Sequence, residues 1–215
     1  MWATGFVIFM VVSSLAAGDW PDIALPPEVA ESNAALEKSI LESGRGIALK
    51  EGDRLPEFGL INQRGEVVRI GDLRGEAFVL NFIFTRCQAA KMCPASTSRM
   101  AKLQREAPAR DLPKLRFITI TFDPTYDTPA VLSDYAKLYG IKGHNFDFLT
   151  HPSQAFIDQL LFLFGILTRA ENGTIEHTST TYLIDAEGRV ALKQNGPDWS
   201  AEKILKAARA LADGA

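Results

Sequence analysis

The sequence predicts an α/β fold in which a mixed central sheet is flanked by helices and entered through an N-terminal β-hairpin. Three observations carry this expectation. Apolar runs of strand length alternate with longer stretches whose apolar residues recur at helical spacing. Residues 78–84, Phe-Val-Leu-Asn-Phe-Ile-Phe, are nearly continuously apolar, as in a strand covered on both faces. Turn signals at Asn62-Gln-Arg-Gly65 and Asp185-Ala-Glu-Gly188 mark a hairpin near each end. Alternating strands and helices imply a largely parallel sheet, with antiparallel strands supplied by the hairpins.

The elements follow in order. Residues 58–61 and 67–70 form the first hairpin, and 78–84 the central strand. Pro94 opens a helix, because a first helical position needs no N–H; Met100 and Leu103 give it an inward stripe. Residues 115–122 read as the next strand. Asp127 or Thr128 caps a helix beginning at Pro129, with Val131, Leu132, Tyr135 and Leu138 on its buried face and Gly140 at its end. A short strand at 146–149 precedes a helix opened by Pro152, in which Phe156, Ile157, Leu160, Leu161 and Phe164 lie at helical spacing before Gly165. Strands at 180–184 and 190–193 form the second hairpin. Ser200 caps a last helix that turns Ile204, Leu205, Ala208 and Leu211 inward. This order is that of a thioredoxin-like fold over residues 55–215.

The chain of 215 residues suits one such domain with an extension before it. Residues 1–18 hold an apolar run without charge, too short for a comfortable membrane span, with small residues at Ser14–Gly18 that suit a signal peptidase. No Lys or Arg precedes the run, so a cleaved signal peptide, an uncleaved anchor and a buried helix stay open; an extracytoplasmic location is expected. No cysteine follows to carry a lipid. Residues 19–54, with Pro21, Pro26 and Pro27 and a polar stretch from 28 to 43, read as a linker with one short helix. A net charge of -3 without a basic stripe gives no nucleic-acid footprint.

The chemistry lies in two cysteines and one histidine. Reactive groups in open α/β sheets gather beyond the carboxyl ends of the strands. Cys87 lies just past the central strand, and Cys93 immediately precedes Pro94, so the pair brackets a strand-to-helix turn at that edge. The N–H groups of a helix start favour negative charge, so Cys93 is expected to be the better thiolate, with Arg86 and Lys91 nearby. A structural disulfide closing this short turn would constrain the unfolded chain only modestly. Of the three histidines, His144 and His151 sit in loops and read as non-ligands, whereas His177 precedes the 180–184 strand. Two thiolates and an imidazole suit Cu(I), with Zn(II) possible given a fourth ligand.

Several ordered motifs resemble the SCO/SenC family: Phe-Ile-Phe-Thr-Arg-Cys (82–87), Cys93-Pro94, Thr-Phe-Asp-Pro-Thr-Tyr-Asp-Thr-Pro (121–129), Phe-Leu-Thr (148–150) and His-Thr-Ser-Thr-Thr-Tyr-Leu-Ile-Asp (177–185). The resemblance implies a thioredoxin-like protein that assembles the copper centre of cytochrome c oxidase. It implies copper on Cys87, Cys93 and His177, a copper-site subunit of the oxidase or another copper or thiol protein as partner, and membrane contact through the N-terminus. Asp123 matches an acidic residue close to that site, and reads equally as a turn-forming Asp before Pro124. The family motif has three residues between the cysteines; this chain has five, Gln88 to Met92. Thiol–disulfide oxidoreductases place a cis-proline before the equivalent strand, where this chain has Thr178-Ser-Thr-Thr181. A dithiol cycling between Cys87 and Cys93 is the alternative function.

Overall fold

A computed structural model describes residues 20–21, 23–43, 48–171 and 174–214, so the leader expected over 1–18 lies outside the described residues. Among the described residues no helix is long and apolar enough to cross a membrane. The strands among the described residues are β1 (Gly59–Asn62), β2 (Val67–Arg69), β3 (Phe78–Ile83), β4 (Arg116–Thr121), β5 (Phe146–Thr150), β6 (Thr168–Glu171), β7 (Thr174–His177), β8 (Thr180–Ile184) and β9 (Val190–Asn195). The helices are α1 (Pro27–Ser43), α2 (Cys93–Glu106), α3 (Pro129–Leu138), α4 (Gln154–Leu163) and α5 (Ala201–Ala212).

Seven strands form one sheet in the order β2-β1-β5-β4-β3-β8-β9. Only β3–β4 and β4–β5 pair in parallel, joined by the crossovers through α2 and α3. The pairs β1–β2, β1–β5, β3–β8 and β8–β9 are antiparallel. The sheet is therefore mixed, not largely parallel: each hairpin docks antiparallel on the parallel centre. Every residue of β3 is buried, because helices cover both faces of this central strand. Side chains alternate across a strand. Asn81 points to the face of α2, where its amide donates to Ser96 Oγ at 3.0 Å. Its neighbour Phe82 points to the other face and packs on Phe164 just beyond α4, ring centroids 5.1 Å apart.

The periodicity locates α2 to α5, with three differences in detail. Leu138 is 78% exposed rather than inward, because α3 ends there and Tyr135 and Ala136 cover the sheet. Pro152 lies ahead of α4, which is capped by Ser153 Oγ accepting the Phe156 N–H at 3.2 Å. Thr128 occupies the N-cap of α3 without a side-chain capping bond, and Asp127 is turned elsewhere. Ser200 caps α5 as expected, accepting the Lys203 N–H at 3.2 Å.

Within the stretch expected as linker, α1 lies against the sheet. Asn33 brackets Gly59: its amide donates to the Gly59 carbonyl at 3.0 Å and its oxygen accepts the Gly59 N–H at 2.9 Å. Val29 packs so closely on Gly59 that a Cβ there would run into Val29 Cγ1. Further upstream, the Trp20 indole N–H donates to the Pro124 carbonyl at 3.0 Å. An additional hairpin, β6–β7, stands as a separate two-stranded ribbon ahead of β8 and ends on His177.

Candidate metal and thiol centre

The chain leaves β3 through Phe84 and turns at Thr85-Arg86-Cys87, where the Cys87 N–H donates to the Phe84 carbonyl at 3.3 Å. It re-enters regular structure at Cys93, the first residue of α2, with Pro94 behind it. A buried polar chain fixes the first turn of this helix. Ser96 Oγ accepts from Asn81 and from the Trp199 indole, both at 3.0 Å, and Thr119 donates to Asn81 at 2.6 Å. Cys93 is thereby seated in the core, 2% exposed, while Cys87 is half-buried. Both are free thiols.

His177 reaches the pair from the end of β7. Its Nε2 lies 3.7 Å from Cys93 Sγ. Its Nδ1 lies 2.9 Å from the Thr178 carbonyl. A carbonyl oxygen can only accept, so Nδ1 donates to it and Nε2 is the ring nitrogen turned toward the sulfur. Metal-bound histidines are commonly held this way by a backbone carbonyl on the remote nitrogen. The ring is also wedged between Phe122, centroid 4.5 Å away, and Phe84, edge-on at 6.1 Å. An open groove of about 520 Å³ adjoins it, lined by Met92, His177, Ser179, Asn195 and Pro197.

The two sulfurs differ. A hydrogen bond from the Cys93 side chain, joined by the Cys93 N–H and the nearby imidazole, lowers the Cys87 thiol to about 5 despite partial burial. The Cys93 thiol is pushed up, because it serves as that donor and because it is buried. The expectation that Cys93 would be the better thiolate is therefore reversed. The dipole at a helix start contributes about 0.3–1 kcal/mol. Burial and the proton shared with Cys87 outweigh it.

Asp123 is buried just past the end of β4. It holds the guanidinium of Arg86, from Nε at 3.0 Å and Nη2 at 2.6 Å, and Thr125 Oγ1 at 3.1 Å. Arg86 also lies 4.5 Å above the Tyr126 ring. Asp123 thus acts on the turn one residue before Cys87. His151 is buried against Phe156 with Nδ1 accepting the Ser153 N–H at 3.0 Å.

The structure brings Cys93 to His177 and Cys87 to Cys93. Among the described residues, no three His, Cys, Asp or Glu side chains are gathered tightly enough to enclose an ion as they stand. The donor chemistry nevertheless fits a soft cation: two sulfurs, one with its thiol lowered, and an imidazole nitrogen. Cys87, the third candidate donor, begins the five-residue loop to Cys93.

Fold and site define a thioredoxin-like protein with a cysteine pair at a strand exit and an imidazole set against it. The SCO1/SenC family model matches residues 48–213, and the chain belongs to that family. A relative, the SCO1 protein homolog of Bacillus subtilis (strain 168), is 34% identical over 142 residues, covering 65% of this chain and 72% of that protein. The structure resembles a SCO1/SenC family lipoprotein from Bacillus anthracis str. Ames, with TM-score 0.68, 32% identity, and coverage of 77% of this chain and 99% of the other. It also resembles BsSco, a member of the Sco family of cytochrome c oxidase assembly proteins described with a disulfide switch, with TM-score 0.67, 29% identity, and coverage of 78% and 98%. Bradyrhizobium japonicum ScoI with copper bound shares the fold at TM-score 0.60 and 24% identity, covering 75% and 99%.

Proposed function

We propose that this chain is an exported copper-binding assembly factor that delivers copper to, or reduces cysteines of, the copper-site subunit of cytochrome c oxidase. Copper is here the cargo, carried as Cu(I) on Cys87, Cys93 and His177. The observation that carries the reading is the placement of His177. With Nδ1–H tied to the Thr178 carbonyl, Nε2 faces Cys93 Sγ at 3.7 Å. A ring held by its remote nitrogen is oriented to offer Nε2 to a metal shared with that sulfur. Family membership, a copper-loaded ScoI and an assembly-protein relative support the cargo and the destination. The apolar run at the N-terminus and a lipoprotein relative support an extracytoplasmic location.

A second reading, thiol–disulfide exchange, is favoured by the Cys87 thiol lowered to about 5 beside a buried partner. In that cycle the Cys87 thiolate attacks a substrate disulfide and Cys93 displaces the reduced substrate. The Cys87–Cys93 disulfide forms as two electrons pass to the substrate, and the Cys93 proton goes to the leaving thiolate.

His177→Ala separates the two. Measured on the full reduced chain, Cu(I) affinity by chelator competition is expected to fall at least tenfold, since residues that merely orient a metal's ligands already contribute about 10–100-fold. Disulfide exchange started by Cys87 is expected to persist. Unchanged Cu(I) affinity with intact exchange would leave the dithiol reading in place of the copper one.

A further inference from the structure

A buried carboxylate behind the cysteine turn has no part in the scheme above. Asp127 lies in the loop after β4, where the sequence suggests a helix cap, yet α3 is entered through Thr128 and Pro129 without it. Its side chain, fully buried, crosses to the neighbouring strand exit. Oδ2 accepts the backbone N–H of Thr85 at 3.1 Å and the Thr121 hydroxyl, and Oδ1 accepts the Thr85 hydroxyl. Thr121 Oγ in turn accepts the Asp123 N–H at 3.1 Å, while the Asp123 carboxylate grips Arg86. Two carboxylates four residues apart thus hold Thr85 and Arg86, the two residues immediately before Cys87.

From this geometry we infer that Asp127 is a positioning residue for Cys87, acting through the backbone and hydroxyl of Thr85. The inference rests on the reading of Cys87 as a metal and thiol ligand. Beyond Cys87 the chain runs through Gln88 to Met92, mostly exposed, and meets the sulfur only at the Ala89 carbonyl, 3.9 Å from Cys87 Sγ, among the described contacts of that loop. The sulfur must nonetheless stay where the Cys93 side chain and N–H can reach it. A tie on the upstream side meets that need. The carboxylate suits it because three donors converge on it; an amide in its place would turn an N–H toward one of the hydroxyls. The burial of Asp127 raises its carboxyl to about 6, and these bonds limit that rise.

The test compares Asp127→Asn, Thr85→Val and Thr85→Ser with wild type in the full, reduced chain. One readout needs no metal: the pH midpoint for alkylation of Cys87 by iodoacetamide. The other is Cu(I) affinity by chelator competition. Loss of the anchor is expected to raise the Cys87 midpoint and weaken Cu(I) about tenfold in Asp127→Asn and Thr85→Val, with Thr85→Ser close to wild type. A merely structural role would lower the melting temperature and leave the midpoint unchanged, which would overturn the inference. Should Asp127→Asn fail to fold, the Thr85 pair decides alone. Should wild type itself not bind Cu(I), the copper reading fails, and the alkylation midpoint still decides the positioning role.

Discussion

The two cysteines occupy ends of one turn but different environments, and their reactivities should differ accordingly. Cys87 is half-buried with its thiol lowered to about 5, whereas Cys93 sits in the core with its thiol raised. At pH 6, above the Cys87 value, that thiol is mostly thiolate, so iodoacetamide should tag Cys87 while Cys93 stays unmodified; mass spectrometry of the digested chain reads this directly. Labelling of Cys93 first would contradict the assignment. The positions of the pair were legible in the sequence, since a strand exit and a helix-opening proline bracket them. Their order of acidity was not, because it depends on which sulfur the core covers. His177 was marked by its place before β8 and by family motifs. Its seat between Phe84 and Phe122 depends on contacts between distant segments and leaves no local pattern. Asp127 is the plainest case: an Asp before Thr-Pro reads as a cap, and only the structure reveals Thr85 as its partner.

At the scale of elements, hydrophobic period served the central strands and α2 to α5 well, because each buries one apolar stripe or two full faces. It served α1 poorly. This helix is polar overall and docks through Val29, Leu36 and the buried Asn33, too few apolar positions to read as a packed face. Asn33→Ala would leave the Gly59 N–H and carbonyl without their partner, and unsatisfied buried groups cost about 1–3 kcal/mol each. We expect that substitution to lower stability by about 2 kcal/mol in urea unfolding and to free α1 for limited proteolysis; an unchanged midpoint would show that the bracket adds little. The β6–β7 ribbon was absent from the sequence expectation although Asn172-Gly173, a strong hairpin dipeptide, lies between its strands. Its flanks are polar and pair outside the main sheet, so no apolar alternation marks them. The omission matters for function because the ribbon delivers His177.

For the whole molecule, the mixed sheet puts the exits of β3 and β4 side by side, and the site forms where those exits meet α2 and β7. A charge buried at that junction couples the site to global stability. Asp127 titrates at about 6 in the fold against an ordinary 3.8, chiefly through burial. The folded state therefore holds this proton more tightly than the unfolded chain. Its contribution is fully present below about pH 4 and is lost as pH rises through 6, amounting to about 3 kcal/mol at ~1.4 kcal/mol per pH unit. Melting temperatures between pH 4 and 7 should show this downward component in wild type and not in Asp127→Asn; parallel profiles would contradict it. The central claim is that Cys87, Cys93 and His177 serve one soft ion together. X-ray absorption of the full chain loaded with one equivalent of Cu(I) tests it most directly. The account predicts two sulfur neighbours and one nitrogen neighbour at copper, with the nitrogen lost in His177→Ala. A shell without sulfur, or one that His177→Ala leaves unchanged, would contradict it.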